Sequence, residues 1–158
     1  MIAPLTRRGK MLAPHGNAMA TKPFDIDTVV QRIRKEIAGF KDAAMFALRT
    51  RGFTTVFQQL VGCIISIRTL DEVSLPAAVR LLEKAPDASS IARLSEKRID
   101  ELISTSTFHE TKARQIRAIA VAAVEQFGGE LPADSEVLMS FNGVGPKCAN
   151  LALGVAAG

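Results

Sequence analysis

The chain has 158 residues, of which 47% are hydrophobic, and its 20 lysines and arginines outnumber its 16 aspartates and glutamates. This length suits one domain with a hydrophobic core, and charges or glycines interrupt every apolar run before it could span a membrane. The two cysteines have no CxxC spacing and are too few for a structural zinc site or an iron–sulfur cluster. We expect both to be buried thiols rather than a disulfide.

The net charge of +4 belongs to residues 1–24, which contain four basic residues (Arg7, Arg8, Lys10 and Lys22) and no acidic residue. The other 16 basic residues balance the 16 acidic ones, so residues 25–158 are neutral. Prolines, glycines and the lack of apolar periodicity predict that residues 1–24 form a flexible basic arm. Any affinity of residues 25–158 for nucleic acid must therefore come from the local placement of charge. Met11 and Met19 are alternative starts of the chain.

Nine segments after this arm show helical apolar periodicity or residues typical of helix boundaries. They are residues 25–39, 41–49, 56–67, 71–84, 88–94, 95–103, 107–127, 134–141 and a last helix that ends at Gly158. Thr55 and Gln58 fit a capping box before residues 56–67, which are apolar nearly all round and should form the central helix. Pro76 should be tolerated only near a first helical turn. Without alternating strands, the sequence predicts an all-α fold.

A tight turn, Asn142-Gly143-Val144-Gly145, separates the last two helices. The two glycines allow backbone angles that a side chain would forbid, and Val144 should pack inward between the helices. The free N–H groups at the start of the second helix should then face outward and attract a phosphate. A glycine cap that merely joins two helices explains the same residues equally well.

The segment FNGVGPKCAN at residues 141–150 resembles the LPGVGxKTAN hairpin of the endonuclease III family of DNA glycosylases. Three segments upstream are similar to that family in the same order: LVGCIISIRTLD at 60–71, FHETKA at 108–113 and GELP at 129–132. The resemblance covers roughly residues 26–158. It implies a helix-hairpin-helix glycosylase with a six-helix domain, which excises damaged bases, with oxidised pyrimidines as the expected substrates, from double-stranded DNA.

The resemblance assigns a role to several residues. It implies that Lys147 is the amine that attacks the sugar C1′ and forms a Schiff base, and the start of a helix disfavours the charged form of a lysine. It implies that the hairpin backbone anchors phosphate and that Arg68, where the family commonly has glutamine, fills the gap left by the extruded base. The residues expected to contact DNA are Gly143, Val144, Gly145, Arg68, His109 and Lys112. Arg114 and Arg117 extend the edge at Lys112. A surface lysine on phosphate, an ordinary surface histidine and a solvated helix face are the alternatives.

The sequence departs from the family pattern at its end. The family has a catalytic aspartate after the final helix and then a cysteine cluster that ligates a [4Fe–4S] centre, and both positions lie beyond Gly158. We therefore expect a C-terminally truncated domain over residues 25–158 without a cofactor, with lyase activity and little glycosylase activity. Asp71 and Asp134 are helix-capping residues rather than substitutes. A non-catalytic DNA-binding module and a truncated remnant are the alternatives.

Two further expectations concern the surroundings of the molecule. In the family, the N-terminal helix packs against C-terminal helices, so the apolar stripe of residues 25–39 should be left without much of its partner. This stripe could fold back or associate with a second copy. A DNA-repair role without a membrane span implies a soluble bacterial protein of the cytoplasm that associates with the nucleoid.

Overall fold

The computed structural model describes residues 24–158, so the predicted arm lies outside the described residues except for Phe24. The described residues form nine α-helices and no strand. In chain order they are α1 (Ile26–Ile37), α2 (Ala44–Thr50), α3 (Val56–Ser66), α4 (Asp71–Lys84), α5 (Ala88–Arg93), α6 (Glu96–Ile103), α7 (His109–Phe127), α8 (Ser135–Ser140) and α9 (Pro146–Ala157). The all-α prediction is confirmed, and each helix overlaps a predicted segment. No helix of this range is long and apolar enough to cross a membrane.

The helix α1 belongs to a compact unit that ends at Phe40, and residues 41–158 form a second unit. It begins at Ile26 because the carboxylate of Asp25 accepts a hydrogen bond from the backbone N–H of Thr28 at 3.1 Å. No residue of α1 is buried. Association of its apolar stripe with a second copy stays a prediction.

The second unit is built around α3, as its apolar sequence predicted. Eight of its residues are buried, and it lies against α2, α4, α7 and α9. The predicted capping box is present, because the Thr55 hydroxyl accepts from the Gln58 backbone and the Gln58 side chain accepts from the Thr55 backbone. The six-helix domain that the resemblance implies contains eight helices here, of which α2, α5 and α8 have seven residues or fewer.

Two predictions about α2 and α4 are wrong in detail. The helix α2 begins at Ala44 rather than near Lys41, because its first free N–H is capped from another helix. The carboxylate of Asp71 accepts the Ala44 N–H at 2.9 Å, so this aspartate caps α2 although it lies in the first turn of α4. Pro76 is the sixth residue of α4 and lies inside the helix rather than in its first turn. Its exposed ring removes one hydrogen bond of the helical ladder.

The last helix is held at its far end by α2. The guanidinium of Arg49 donates hydrogen bonds to the carbonyls of Val155 and Ala156, each at 2.7 Å. These carbonyls belong to the last turn of α9, where no helical N–H remains to bind them. The side chain of Arg49 therefore provides the C-terminal cap of α9.

Candidate nucleic-acid interface

The helices α8 and α9 form a hairpin around residues 141–145. Asp134 begins α8 by accepting hydrogen bonds from the N–H groups of Glu136 and Val137. In the turn, Gly143 has a φ of +79°, a conformation that is strained for residues with a side chain. Val144 is buried, as predicted, and its N–H donates to the Phe141 carbonyl at 3.1 Å. The first glycine of the motif thus allows the reversal, and the valine fixes the turn to the core.

The turn is also held from the outside by α7, through a residue that sequence reasoning missed. The side-chain amide of Gln115 donates to the Asn142 carbonyl at 2.8 Å. A Cβ atom at Gly143 would lie only 2.7 Å from the Nε2 atom of Gln115. The positive φ therefore favours glycine at this position, and a side chain here would also have to displace the end of the Gln115 side chain. Nothing in the sequence pattern of α7 distinguishes Gln115 from a surface residue.

The N-terminus of α9 presents unpaired donors beside an exposed lysine. The first helical hydrogen bond of α9 runs from the Ala149 N–H to the Gly145 carbonyl at 3.0 Å. The N–H groups of Lys147 and Cys148 therefore have no helical acceptor, and Pro146 has no N–H. Lys147 is exposed and forms no ion pair within residues 24–158. Gly145 is extended and has open space where a Cβ would lie, so a ligand can approach the backbone closely.

A second feature lies between the end of α3 and the start of α7. Arg68 and Phe108 are the two non-glycine residues of the described chain with positive φ, at +54° and +56°. Both are exposed, and the Cζ atom of Arg68 lies 5.3 Å from the centroid of the Phe108 ring, within the range of a cation–π contact. Strained backbone of this kind is typical of functional sites. The sequence singled out Arg68 but not Phe108.

Lys112 lies beneath this loop and is not part of a phosphate-facing edge, so that prediction is wrong. It is 4% exposed, and its Nζ atom donates to the carbonyls of Ile65 and Ile67 at 2.7 and 2.8 Å and to the Thr69 hydroxyl at 3.0 Å. Ile65 lies in the last turn of α3 and Ile67 is its C-cap residue, so these carbonyls need a donor from outside the helix. Burial lowers the pKa of the Lys112 ammonium to about 8.

Among the other polar residues of α7, His109 and Arg117 bind partners within the protein, whereas Arg114 is largely free. His109 is partly buried, and its Nδ1 atom pairs with the carboxylate of Asp100, so a contact of this ring with DNA stays a prediction. The Nε atom of Arg117 donates to the Leu94 carbonyl at 3.0 Å. Arg114 is exposed and has one weak contact, at 3.4 Å, with the Thr111 hydroxyl. Of the predicted basic edge on α7, Arg114 is the residue available to a ligand.

An open cavity of about 520 Å³ lies between α7 and the hairpin turn. Arg114, Gln115 and Ile119 line it from α7, and Phe141 and Gly143 line it from the turn. Its wall is mostly apolar, and Arg114 is the charged residue among those that line it. This cavity continues the surface of the hairpin along α7.

The chain does not supply a site for the family's iron–sulfur cluster. A [4Fe–4S] centre needs four cysteine thiolates, whereas the sequence has two, Cys63 and Cys148, and both are buried facing each other. Within residues 24–158, no three histidine, cysteine or acidic side chains are grouped so that they could hold a metal ion. The residues present do not fit the cluster.

Comparison with known proteins identifies the family. The model of the HhH-GPD superfamily base excision DNA repair proteins matches residues 61–152, more than half of the chain, from α3 into α9. Endonuclease III of Synechocystis sp. is 35% identical over 106 residues, which are 67% of this chain and 48% of that protein. The chain thus spans about half the length of this relative.

Two solved structures are similar to the described fold. A non-covalent endonuclease III–DNA complex has a TM-score of 0.63 at 21% identity, over 83% of this chain and 58% of that chain. A thermostable thymine-DNA glycosylase has a TM-score of 0.69 at 17% identity, over the same shares of the two chains. Both likenesses agree with the fold that the family match requires. The chain belongs to the HhH-GPD superfamily of base excision DNA repair proteins.

Proposed function

We propose that this chain binds double-stranded DNA and acts as an endonuclease III-like glycosylase and abasic-site lyase on damaged bases, with oxidised pyrimidines as substrates and Lys147 as the nucleophile. The observation that carries the proposal is the exposed Lys147 in the first turn of α9, beside N–H groups that have no helical acceptor. The name of the relative in Synechocystis and the DNA in the similar solved structure support it. Action on DNA would place the protein with the nucleoid of a bacterial cytoplasm.

The backbone of the hairpin suits a phosphate of the DNA strand. The open space at Gly145 lets a phosphate oxygen approach the free N–H groups of the α9 N-terminus, where the helix dipole favours negative charge. Arg114 adds an exposed positive charge beside the turn. Because residues 25–158 are neutral overall, these local groups would provide much of the attraction of this region for DNA.

The lysine suits the chemistry of an abasic site. Its neutral amine would attack C1′ of the ring-opened sugar, and loss of water from the resulting carbinolamine gives an imine between Nζ and C1′. Removal of a proton from C2′ then breaks the bond between C3′ and the 3′-phosphate oxygen, which cuts the strand. With a damaged base still attached, attack of the amine at C1′ would displace the base, which leaves with a proton; this is the step for which the sequence predicts little activity.

The loop that carries Arg68 would fill the gap that an extruded base leaves in the duplex. A base flipped out of the duplex leaves a gap in the stack. The guanidinium of Arg68 is planar, and its Cζ atom already lies 5.3 Å from the centroid of the exposed Phe108 ring. It could therefore fill such a gap as one unit with the phenylalanine, at little cost in conformational freedom.

Borohydride trapping tests the proposal. Purified protein is mixed with a labelled duplex that contains one abasic site, and borohydride reduces any imine to a stable covalent adduct. We expect an adduct with the wild type and with Lys97→Gln, a control at an exposed lysine of α6, but not with Lys147→Gln. If Lys147→Gln traps as well as the wild type, Lys147 is not the nucleophile. If the wild type binds the duplex without trapping, the chain is a non-catalytic DNA-binding module.

A further inference from the structure

The two cysteines of the chain meet in the core although they are 85 positions apart in the sequence. Cys63 lies in the middle of α3 and Cys148 is the third residue of α9. Their sulfur atoms are 2.9 Å apart, and the Cys63 thiol donates its hydrogen to the Cys148 sulfur. Both thiols are free. The packing of α3 against α9 thus holds two sulfurs in contact, and one of them belongs to Cys148, the residue that follows Lys147.

We propose that Cys63 and Cys148 form a redox modification site, at which a small peroxide oxidises the two thiols to a disulfide that joins α3 to α9. A disulfide requires the sulfurs to come within about 2.05 Å of each other. The pair already lies within about 1 Å of that separation. Only a small adjustment of side chains or helices is needed, so the bond can form within the folded protein.

The two thiols differ in pKa and in their position relative to the α9 N-terminus, and this difference determines which of them reacts first with the peroxide. The hydrogen bond from Cys63 lowers the pKa of the Cys148 thiol below its ordinary value, and the charge of Lys147 acts in the same direction, against the opposing effect of burial. The α9 N-terminus also favours a thiolate at this position. The pKa of Cys63 is raised by its interaction with Cys148 and by burial. Cys148 is therefore the reactive thiolate, and Cys63 is the thiol that resolves its oxidised form.

The burial of both sulfur atoms limits the size of the oxidant that can reach them. Cys63 is fully buried and Cys148 is 5% exposed, so a bulky disulfide such as oxidised glutathione cannot align with either sulfur. Hydrogen peroxide is close to water in size, so the small exposed fraction of Cys148 is enough for it to reach this sulfur. The class of oxidant that fits the site is therefore a small peroxide.

The reaction balances in two steps. The Cys148 thiolate attacks one oxygen of hydrogen peroxide, the O–O bond breaks, and the departing hydroxide takes up a proton to leave as water, so that Cys148 becomes a sulfenic acid. The Cys63 sulfur then attacks the Cys148 sulfur, and the S–O bond breaks. The hydroxyl group leaves as a second water with the proton of Cys63. In sum, two thiols and one peroxide give one disulfide and two waters.

The test is intact-mass analysis of the full chain after treatment of the reduced protein with hydrogen peroxide at low protein concentration. We expect the mass to fall by two hydrogen atoms, both thiols to become unreactive after denaturation, and dithiothreitol to restore them. Proteolysis without reductant should release one cross-linked product that contains Cys63 and Cys148. Two free thiols after treatment, a gain of oxygen without loss of hydrogen, or a cross-link between two chains would each overturn the proposal.

Two variants test the assigned order. In Cys63→Ser, Cys148 should gain oxygen without forming a disulfide, because the resolving thiol is gone. In Cys148→Ser, Cys63 should remain a free thiol under the same treatment. Oxidation of Cys63 in Cys148→Ser at the wild-type rate would refute the roles. The wild-type mass measurement does not depend on the folding of either variant, nor on whether the protein binds DNA.

Discussion

Replacing the buried Lys112 by methionine tests whether this residue stabilises the fold. Methionine keeps an unbranched apolar stem of similar length, so the packing of α7 is largely retained, but the three hydrogen bonds of Nζ are lost. The Ile67 carbonyl keeps a weak bond from the Thr69 hydroxyl at 3.3 Å, whereas the Ile65 carbonyl loses its side-chain donor. A buried acceptor without a partner costs about 1–3 kcal/mol.

The expected net effect follows from two opposing terms. The orphaned carbonyl and the other lost bonds together destabilise the protein by about 2–4 kcal/mol. Removing the buried ammonium recovers part of this lost stability, because burial disfavours the charged form of the lysine. We expect Lys112→Met to lower the free energy of unfolding by about 2 kcal/mol, measured by urea denaturation at pH 7. Lys97→Met, at an exposed position of α6, should change it by less than about 0.5 kcal/mol.

The pH dependence of the free energy of unfolding distinguishes the loss of the buried ammonium from a packing defect, because the effect of a packing defect would not change with pH. The pKa of Lys112 is about 8 in the folded protein, below its ordinary value of 10.5. Between these values the unfolded chain binds more protons, so this residue makes the free energy of unfolding rise with pH. The advantage of the wild type over Lys112→Met should therefore grow from pH 7 to pH 10. A variant as stable as the wild type at both pH values would show that the buried ammonium contributes nothing to the fold.

Three further measurements test the hairpin, the electrostatics and the cysteine pair. Gly143→Ala should lower the free energy of unfolding, measured by urea denaturation, by about 1–2 kcal/mol, because alanine is strained at positive φ and displaces Gln115. The control Gly154→Ala, in open space within α9, should raise it, and equal effects of the two variants would contradict the geometry of the turn. DNA affinity, followed by fluorescence anisotropy, should weaken several-fold between low and physiological salt, and an affinity independent of salt would exclude phosphate anchoring. The disulfide form should resist urea better than the reduced form, since closing an 85-residue loop stabilises by at most about 4–5 kcal/mol; a less stable oxidised form would show that the bond distorts the packing of α3 against α9.

Helix positions could be predicted because their signals are local. The sequence predicts helix starts at Asp25, Thr55, Ser95 and Asp134, and each of these side chains accepts a hydrogen bond from the first turn of its helix. Capping depends on residues within one turn, so one sequence suffices to recognise it. The position of Val144 in the hairpin was predictable for the same reason, since the glycines on either side determine how the turn is folded.

The roles of Lys112 and Asp71 could not be recognised in this way, because their partners are distant in sequence. The carbonyls that Lys112 binds belong to residues 45 and 47 positions earlier, and Asp71 caps a helix 27 positions earlier. One local signal for Lys112 existed: it lies four residues before the buried Ile116 on the apolar face of α7. A lysine on a buried stripe with no acidic partner nearby indicates a ligand to carbonyls rather than to phosphate.

The cap that Arg49 places on the last turn of α9 affects the opposite end of that helix. With 12 residues, α9 is about 18 Å long, and a tilt of 5° about its far end would displace the first turn by about 1.6 Å. A displacement of about 1 Å in a reacting group can cost a hundredfold in rate. The position of Lys147, the proposed nucleophile, therefore depends on an arginine at the opposite end of the same helix. Loss of the Arg49 hydrogen bonds would move the lysine by tilting α9, without any direct contact between the two side chains.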